Sequence, residues 1–77
     1  MSNDKFNWHK TLNGVEHGSH CNLIMRAEAN GYWQVCWKDG RVFADAITQT
    51  PGRDLEDAKR RAQSAAMACV SGIHQEA

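Results

Sequence analysis

Apolar and polar residues alternate through the middle of the chain, between residues 21 and 48. Two turn signals, Asn30-Gly31 and Asp39-Gly40, divide this stretch. Such pairs between alternating segments are the strongest short-range signal for a β-hairpin. The pattern predicts an antiparallel β-meander with three strands, at about Cys21–Glu28, Tyr32–Lys38 and Arg41–Thr48.

The Asp39-Gly40 pair predicts a two-residue type I′ turn, whose two central residues both need a positive φ. Pairing outward from this turn puts six apolar residues on one face, as three opposite pairs: Trp37 with Val42, Val35 with Ala44, and Trp33 with Ala46. A slip of one residue would break this set, so the pattern favours this register.

The Asn30-Gly31 turn allows two registers. A two-residue loop would bury Arg26 and Glu28 against the tryptophans, whereas a three-residue loop ending in Gly31 buries the apolar residues of the same strand, Leu23, Met25 and Ala27. Burying unpaired charge costs more than a preference between turn types. The three-residue loop is therefore predicted.

After Pro51 the apolar spacing changes from two residues to 3.6, which predicts a helix over 54–71. Asp54 is the expected N-cap, and Gly72 is the expected stop, with Ile73 making the hydrophobic contact of a C-cap. The apolar stripe is mostly alanine: Leu55, Ala58, Ala62, Ala65, Ala66, Cys69 and Val70. Two ion pairs four residues apart are expected on the solvent side: Glu56 with Arg60, and Asp57 with Arg61.

The N-terminal segment is less regular. Residues 1–5 are expected to be flexible, Phe6, Trp8 and Leu12 alternate with polar residues as in an edge strand, and 14–20 resembles a loop. The chain is thus predicted to be one α+β domain. It has an antiparallel meander of three strands, or four with the edge strand, and one C-terminal amphipathic helix packed on one face.

The amino-acid composition limits the classes of partner that the chain is expected to bind. The 77 residues carry nine basic and nine acidic side chains, so the formal net charge is zero. Proteins that bind nucleic acid or anionic membranes usually carry a basic excess, so both partners are disfavoured. No apolar run is long enough to span a membrane. Three widely spaced cysteines suit reduced thiols, which predicts a cytoplasmic protein.

The segment His17-Gly18-Ser19-His20-Cys21 is the densest group of metal-binding side chains. A structural zinc site needs four ligands, usually in two spaced pairs, and no Cys-x-x-Cys provides a second pair. Neither Cys36 nor Cys69 has the flanking cations of a reactive thiol. The sequence therefore predicts no metal site, no cofactor and no enzymatic activity.

The second face of the predicted sheet is the most suggestive feature. Aromatic and arginine residues mixed with aliphatic ones are typical of protein interfaces. The predicted partner-binding residues are Ile24, Arg26, Tyr32, Gln34, Arg41, Phe43 and Asp45, with Tyr32 and Phe43 as anchors and the three charged residues as rim. The alternative is that the N-terminal segment, with Phe6, Trp8 and Leu12, covers this face.

Three strands followed by a helix with Lys59, Arg60 and Arg61 resemble the second half of a double-stranded RNA-binding domain. The resemblance implies an alternative function, nucleic-acid binding through these three cations. The chain lacks the first helix of that family. It also places Asp54, Glu56 and Asp57 at the helix N-terminus, where that family presents cations.

In general character the chain resembles the small accessory proteins of phages and mobile elements, including anti-CRISPR proteins. The segments that carry this resemblance are Tyr32-Trp33-Gln34-Val35-Cys36-Trp37-Lys38-Asp39-Gly40 and Leu55-Glu56-Asp57-Ala58-Lys59-Arg60-Arg61-Ala62. The resemblance implies a non-enzymatic protein that inhibits a larger host protein complex by stoichiometric occlusion. A homodimeric structural protein, paired through the sheet, is a third alternative.

Overall fold

A computed structural model describes residues 6–76, without the side chains of Leu12 and of 70–76. The predictions for 1–5 and for the side chains of Leu12, Val70 and Ile73 lie outside this part of the chain. The strands are β1 (His9–Lys10), β2 (Val15–His20), β3 (Leu23–Glu28), β4 (Trp33–Trp37) and β5 (Val42–Asp45), and the helix is α1 (Leu55–Glu76). The strands form one antiparallel sheet in the order of the chain. The α+β class is confirmed, but the sheet has five strands rather than three or four.

The predicted loop at 14–20 is wrong, because Val15–His20 is the full-length strand β2. Glu16, Gly18 and His20 pair with Ala27, Met25 and Leu23, so they share the buried face of β3. None of the three is apolar, which explains why alternation did not reveal the strand. Glu16 is buried in an ion pair with Lys59, and Gly18 leaves room for a ring.

The N-terminal edge strand is much shorter than predicted. Only His9 and Lys10 pair with β2, and Leu12–Gly14 forms a short 3-10 helix. Trp8 lies over Gly18, where a Cβ would come within 3.0 Å of the Trp8 ring and 2.7 Å of the Phe6 carbonyl oxygen. Packing of Phe6 and Trp8 on the buried face therefore holds the segment, with only two residues of strand pairing.

The β3–β4 hairpin has the predicted register. Gly31 adopts a φ of 98° and its N–H donates to the Glu28 carbonyl, which closes the three-residue loop. Leu23, Met25 and Ala27 are fully buried, as expected. The Gly31 carbonyl also accepts a hydrogen bond from the Gly52 N–H, and a Cβ on Gly31 would clash with the Gly52 carbonyl group. A Cβ on Gly52 would instead lie 2.5 Å from the Ala58 backbone nitrogen.

The predicted type I′ turn at Asp39-Gly40 is wrong. Only Gly40 has a positive φ, and the Trp37 N–H donates to the Arg41 carbonyl, so the loop has three residues. This moves the register by one, and Val42 pairs with Cys36 instead of Trp37. A bulge at Phe43 then restores the predicted pairing of Val35 with Ala44.

The helix packs on the face that carries the tryptophans, which we call the helix face. Its alanines face large side chains, and a single cluster results: Phe6, Leu23, Met25, Ala27, Trp33, Val35, Ala44, Ala46, Ala58, Ala62, Ala66 and Cys69. Small residues opposite large ones let the helix approach the sheet closely. The predicted stripe is thus confirmed for its described members.

The helix begins as predicted, since the Asp54 carboxylate accepts a hydrogen bond from the Asp57 N–H at 2.9 Å. Asp57 in turn accepts from the Arg53 N–H and pairs with Arg61 and Arg60. Asp57 is buried, not on the solvent side, and the predicted pair of Glu56 with Arg60 does not form. The helix continues through Gly72 to Glu76, so the predicted stop at Gly72 is wrong.

Candidate functional site

The face of the sheet opposite α1 is the candidate site, and we call it the open face. The outward residues of β3 lie on this face, and they are Ile24, Arg26 and Glu28. Their partners in the register lie beside them: Val15, His17 and Ser19 from β2, and Gln34 and Cys36 from β4. Val42 and Asp45 join it from β5, since they pair with Cys36 and Gln34. The face therefore extends over four full strands.

A polar row crosses the whole open face. His9 lies opposite His17, His17 opposite Arg26, Arg26 opposite Gln34, and Gln34 opposite Asp45. The neighbouring row is less polar, with Ser19, Ile24, Cys36 and Val42. Donors and acceptors thus lie beside aliphatic surface, which is the composition of the protein interfaces that the sequence suggested.

The charged groups of this face are held in place. Arg26 Nε lies 3.0 Å from the Glu28 carboxylate on the same strand. The Asp45 carboxylate accepts hydrogen bonds from the Thr48 N–H and hydroxyl, at 2.8 and 2.9 Å. These bonds, the backbone N–H first, favour the ionised carboxylate and so lower the pKa of Asp45.

Four of the seven predicted partner-binding residues lie on the open face: Ile24, Arg26, Gln34 and Asp45. Phe43 does not, because the bulge turns it toward a groove of about 310 Å³ that Trp33, Arg61 and Ala65 also line. Tyr32 precedes β4 and packs against the core cluster, half-buried. The predicted anchor Phe43 is therefore absent from the face, whose exposed aliphatic residues are Ile24 and Val42.

Arg41 lies at the margin, in the β4–β5 loop. Its Nε is 2.9 Å from the Asp39 carboxylate, and its guanidinium carbon is 5.8 Å from the centre of the Trp37 ring. The Arg41 N–H is the first cause of a lowered pKa at Asp39. Arg41 can serve as a rim residue, as the sequence suggested, but it belongs to the loop.

The N-terminal segment does not cover the open face with the aromatic residues that the structure describes. Phe6 is buried in the core cluster on the helix face, and the Trp8 indole N–H donates to Gln63 of the helix at 2.6 Å. The open face therefore lacks the cover that the alternative prediction assigned to Phe6 and Trp8. The Leu12 side chain lies outside the described residues.

The three helix cations proposed for nucleic-acid binding are all engaged with carboxylates. Lys59 Nζ lies 2.9 Å from Glu16, and Arg60 and Arg61 both pair with Asp57. Lys59 and Gln63 line a groove of about 790 Å³ between α1 and the N-terminal segment. Its charged lining is mixed, with Asp54 and Glu56 among the cations, so this surface is not a basic patch.

The dense segment at 17–21 is divided by strand alternation. His17 belongs to the open face, whereas His20 belongs to the helix face, with its ring centre 5.0 Å from that of Phe6. Cys21 is exposed in the following turn, with its Sγ 3.8 Å from His20 Nε2. Among the side chains that the structure describes, no group of three or more histidine, cysteine or acidic residues is arranged to hold a metal ion.

Sequence reasoning missed His9, His17 and Ser19 as members of the open face, because β2 carries no apolar alternation. The sequence feature that could have indicated this part of the open face was His9, because it follows Trp8 in the predicted edge strand.

Burial raises the pKa of the Cys69 thiol, which opposes a role as nucleophile.

No helix among the described residues is long and apolar enough to cross a membrane. Comparison with protein-family models, with curated proteins and with solved structures found no match for the chain. The open face and its neighbours are therefore interpreted from their own geometry.

Proposed function

We propose that the chain is a non-enzymatic protein-binding protein that uses the open face to occlude a surface of a larger protein. The observation that carries the proposal is the arrangement of the sheet. The helix, Phe6 and Trp8 all pack on the helix face, while four of the seven residues predicted to bind a partner lie together on the other side.

The dimensions of the open face suit a small interface. Four full strands and the short β1, spaced about 4.8 Å apart and with up to six residues each, give an area of roughly 20 × 20 Å. A standard interface buries about 800 Å² on each partner, so rim residues must contribute. Arg41 lies beside the face and supplies such a rim, with five donors on its side chain.

The biological setting that we propose is inhibition of a host defence complex by a phage-encoded protein in the host cytoplasm. Its support is the resemblance in size and style to small phage accessory proteins. The three free thiols of Cys21, Cys36 and Cys69 suit a reducing compartment. One copy of the inhibitor is expected to block one target, since occlusion has no turnover.

Ile24 and Val42 are the exposed aliphatic residues that the register places on the open face, and the chain offers a matched control for Ile24. Ile24 on the open face is 36% exposed, and Met67 on the outer surface of the helix is 37% exposed. The tagged chain is used as bait in host lysate with and without nuclease, and the retained protein is then titrated with purified variants. Ile24→Glu should weaken the complex by about 2 kcal/mol, roughly 30-fold, whereas Met67→Glu should leave it unchanged.

Three results would contradict the proposal. Loss of binding with Met67→Glu, but not with Ile24→Glu, would move the interface to the helix. Recovery of nucleic acid that disappears with nuclease and with added salt would favour the nucleic-acid alternative. Retention of the bait alone, with a thermal midpoint that rises with its own concentration, would favour the homodimer.

A further inference from the structure

Two histidines lie side by side at the edge of the open face. His9 of β1 is directly opposite His17 of β2 in the antiparallel register. Trp8 lies over Gly18 on the helix face, so the next residue along β1 projects to the other side. Directly opposite residues have Cβ atoms about 4.5–5.5 Å apart, which brings the two imidazoles within reach of one ion.

We propose that His9 and His17 form a two-histidine site for a divalent transition-metal ion such as Zn²⁺, Ni²⁺ or Cu²⁺. These ions favour imidazole nitrogen, whereas Mg²⁺ and Ca²⁺ favour oxygen ligands. Zinc binds histidine nitrogen at about 2.0–2.1 Å, and its other positions can be filled by water. The site lies at the edge of the open face, and its test does not depend on the proposed partner interaction.

The surroundings of the pair permit a cation. The nearest positive charge in the row is Arg26, opposite His17 on β3, and its Nε lies 3.0 Å from the Glu28 carboxylate. Lys10 and Glu16 form the adjacent pair of the two strands, and Glu16 lies on the helix face bound to Lys59. The charge of Arg26 is thus largely compensated, while the aliphatic Val15 follows on the same side of β2.

Metal binding at this pair would have a structural consequence. β1 has only two residues of pairing with β2, and an ion held by one histidine from each strand would link them. The same link would hold the segment that carries Trp8 against the helix. A ligand that binds only the folded state raises the midpoint of unfolding, so zinc should stabilise the chain in a concentration-dependent way.

The experiment is a titration of the full chain with zinc sulfate, followed by calorimetry and by NMR of the histidine rings. We expect one ion per chain, with the ring signals of His9 and His17 shifting together, and no effect of magnesium chloride. His9→Ala and His17→Ala should each weaken zinc binding by more than about tenfold. Removing a residue that only hydrogen-bonds to a metal ligand already lowers metal affinity by about that factor. His20→Ala and His74→Ala are the controls and should bind as the unmodified chain does.

The proposal is overturned if zinc binding survives both His9→Ala and His17→Ala, or if His20→Ala weakens it equally. The latter result would assign the metal to His20 and Cys21 instead. Should His9→Ala loosen β1, the NMR titration of the unmodified chain decides alone, because a metal bridge must shift both rings at the same zinc concentration. No saturable binding, or a shift of one ring only, would also refute the pair.

Discussion

The ion pair between Glu16 and Lys59 links β2 to the helix and offers a sharp test of the fold. Glu16 Oε1 and Lys59 Nζ are 2.9 Å apart, and the two side chains are 7% and 19% exposed. Lys59 Nζ also lies 5.3 Å from the centre of the Trp8 ring. The substitution Lys59→Met keeps most of the aliphatic stem and removes the charge, which leaves the Glu16 carboxylate buried without its partner.

Breaking a buried ion pair from one side costs about 3–5 kcal/mol. Because Lys59 retains some exposure, water reaches the pair in part, and we expect a loss of about 2–3 kcal/mol. Replacing both residues by methionine should cost only about 0–1 kcal/mol, since a buried pair and a hydrophobic pair of similar size are nearly equal in stability. The double variant should therefore be more stable than Lys59→Met alone by about 2 kcal/mol.

The assay is urea unfolding followed by tryptophan fluorescence, applied to Lys59→Met, Glu16→Met and the double variant. The exposed pair of Arg41 and Asp39, with side chains 74% and 57% exposed, is the control, and Arg41→Gln should cost less than about 1 kcal/mol. If Lys59→Met costs no more than this control, the reasoning is wrong. Lys59 would then be a surface cation, as the nucleic-acid alternative requires.

Three further predictions follow from single contacts. The Arg53 N–H lowers the pKa of Asp57 in the folded state. The ionised Asp57 carboxylate therefore stabilises the fold above its unfolded pKa of about 3.9, and this stabilisation is lost as the pH falls. Asp57→Asn should flatten the decline of the urea midpoint below about pH 4. Cys21 has a φ of 55°, so Cys21→Gly should raise the free energy of unfolding by about 0.5–1 kcal/mol, and a decrease would show no strain there. Ala62→Leu should overpack the seam between helix and sheet and cost about 1–3 kcal/mol, against less than about 0.5 for exposed Ala68→Leu.

The β3–β4 hairpin shows what the sequence predicts well. Two registers were possible, and only one avoided burying Arg26 and Glu28, so a large energetic difference decided the pairing. The start of the helix was predictable for a similar reason, because an Asp54 side chain satisfies an otherwise unpaired N–H. Both features depend on interactions within a short stretch of chain.

The strand β2 shows what the sequence does not predict. Its three residues on the helix face are Glu16, Gly18 and His20, and each is accommodated by a distant group: Lys59, the Trp8 ring and the Phe6 ring. No local pattern identifies a strand whose burial depends on residues up to 43 positions away. The site at His9 and His17 was missed for the same reason.

The β4–β5 hairpin shows that part of a strand register can be predicted correctly when the turn type is not. The loop at Asp39-Gly40 has one residue more than a type I′ turn, and the bulge at Phe43 compensates for it. Val35 and Ala44 therefore pair as predicted although the turn was wrong. The same bulge explains the position of Phe43. Alternation places Phe43 on the open face, whereas the bulge directs it toward the groove that Trp33 and Arg61 also line.

The pairing of charges links the fold to the proposed function. Lys59, Arg60 and Arg61 are bound to Glu16 and Asp57, so the cations that favour a nucleic-acid partner already stabilise the helix and its junction with β2. A phosphate backbone would have to replace these carboxylates, and the replacement of Glu16 would leave a buried charge unpaired. The open face bears no such cost, because its residues already face solvent. A partner that matches it by shape and hydrogen bonding gains contacts without breaking those that hold the domain together.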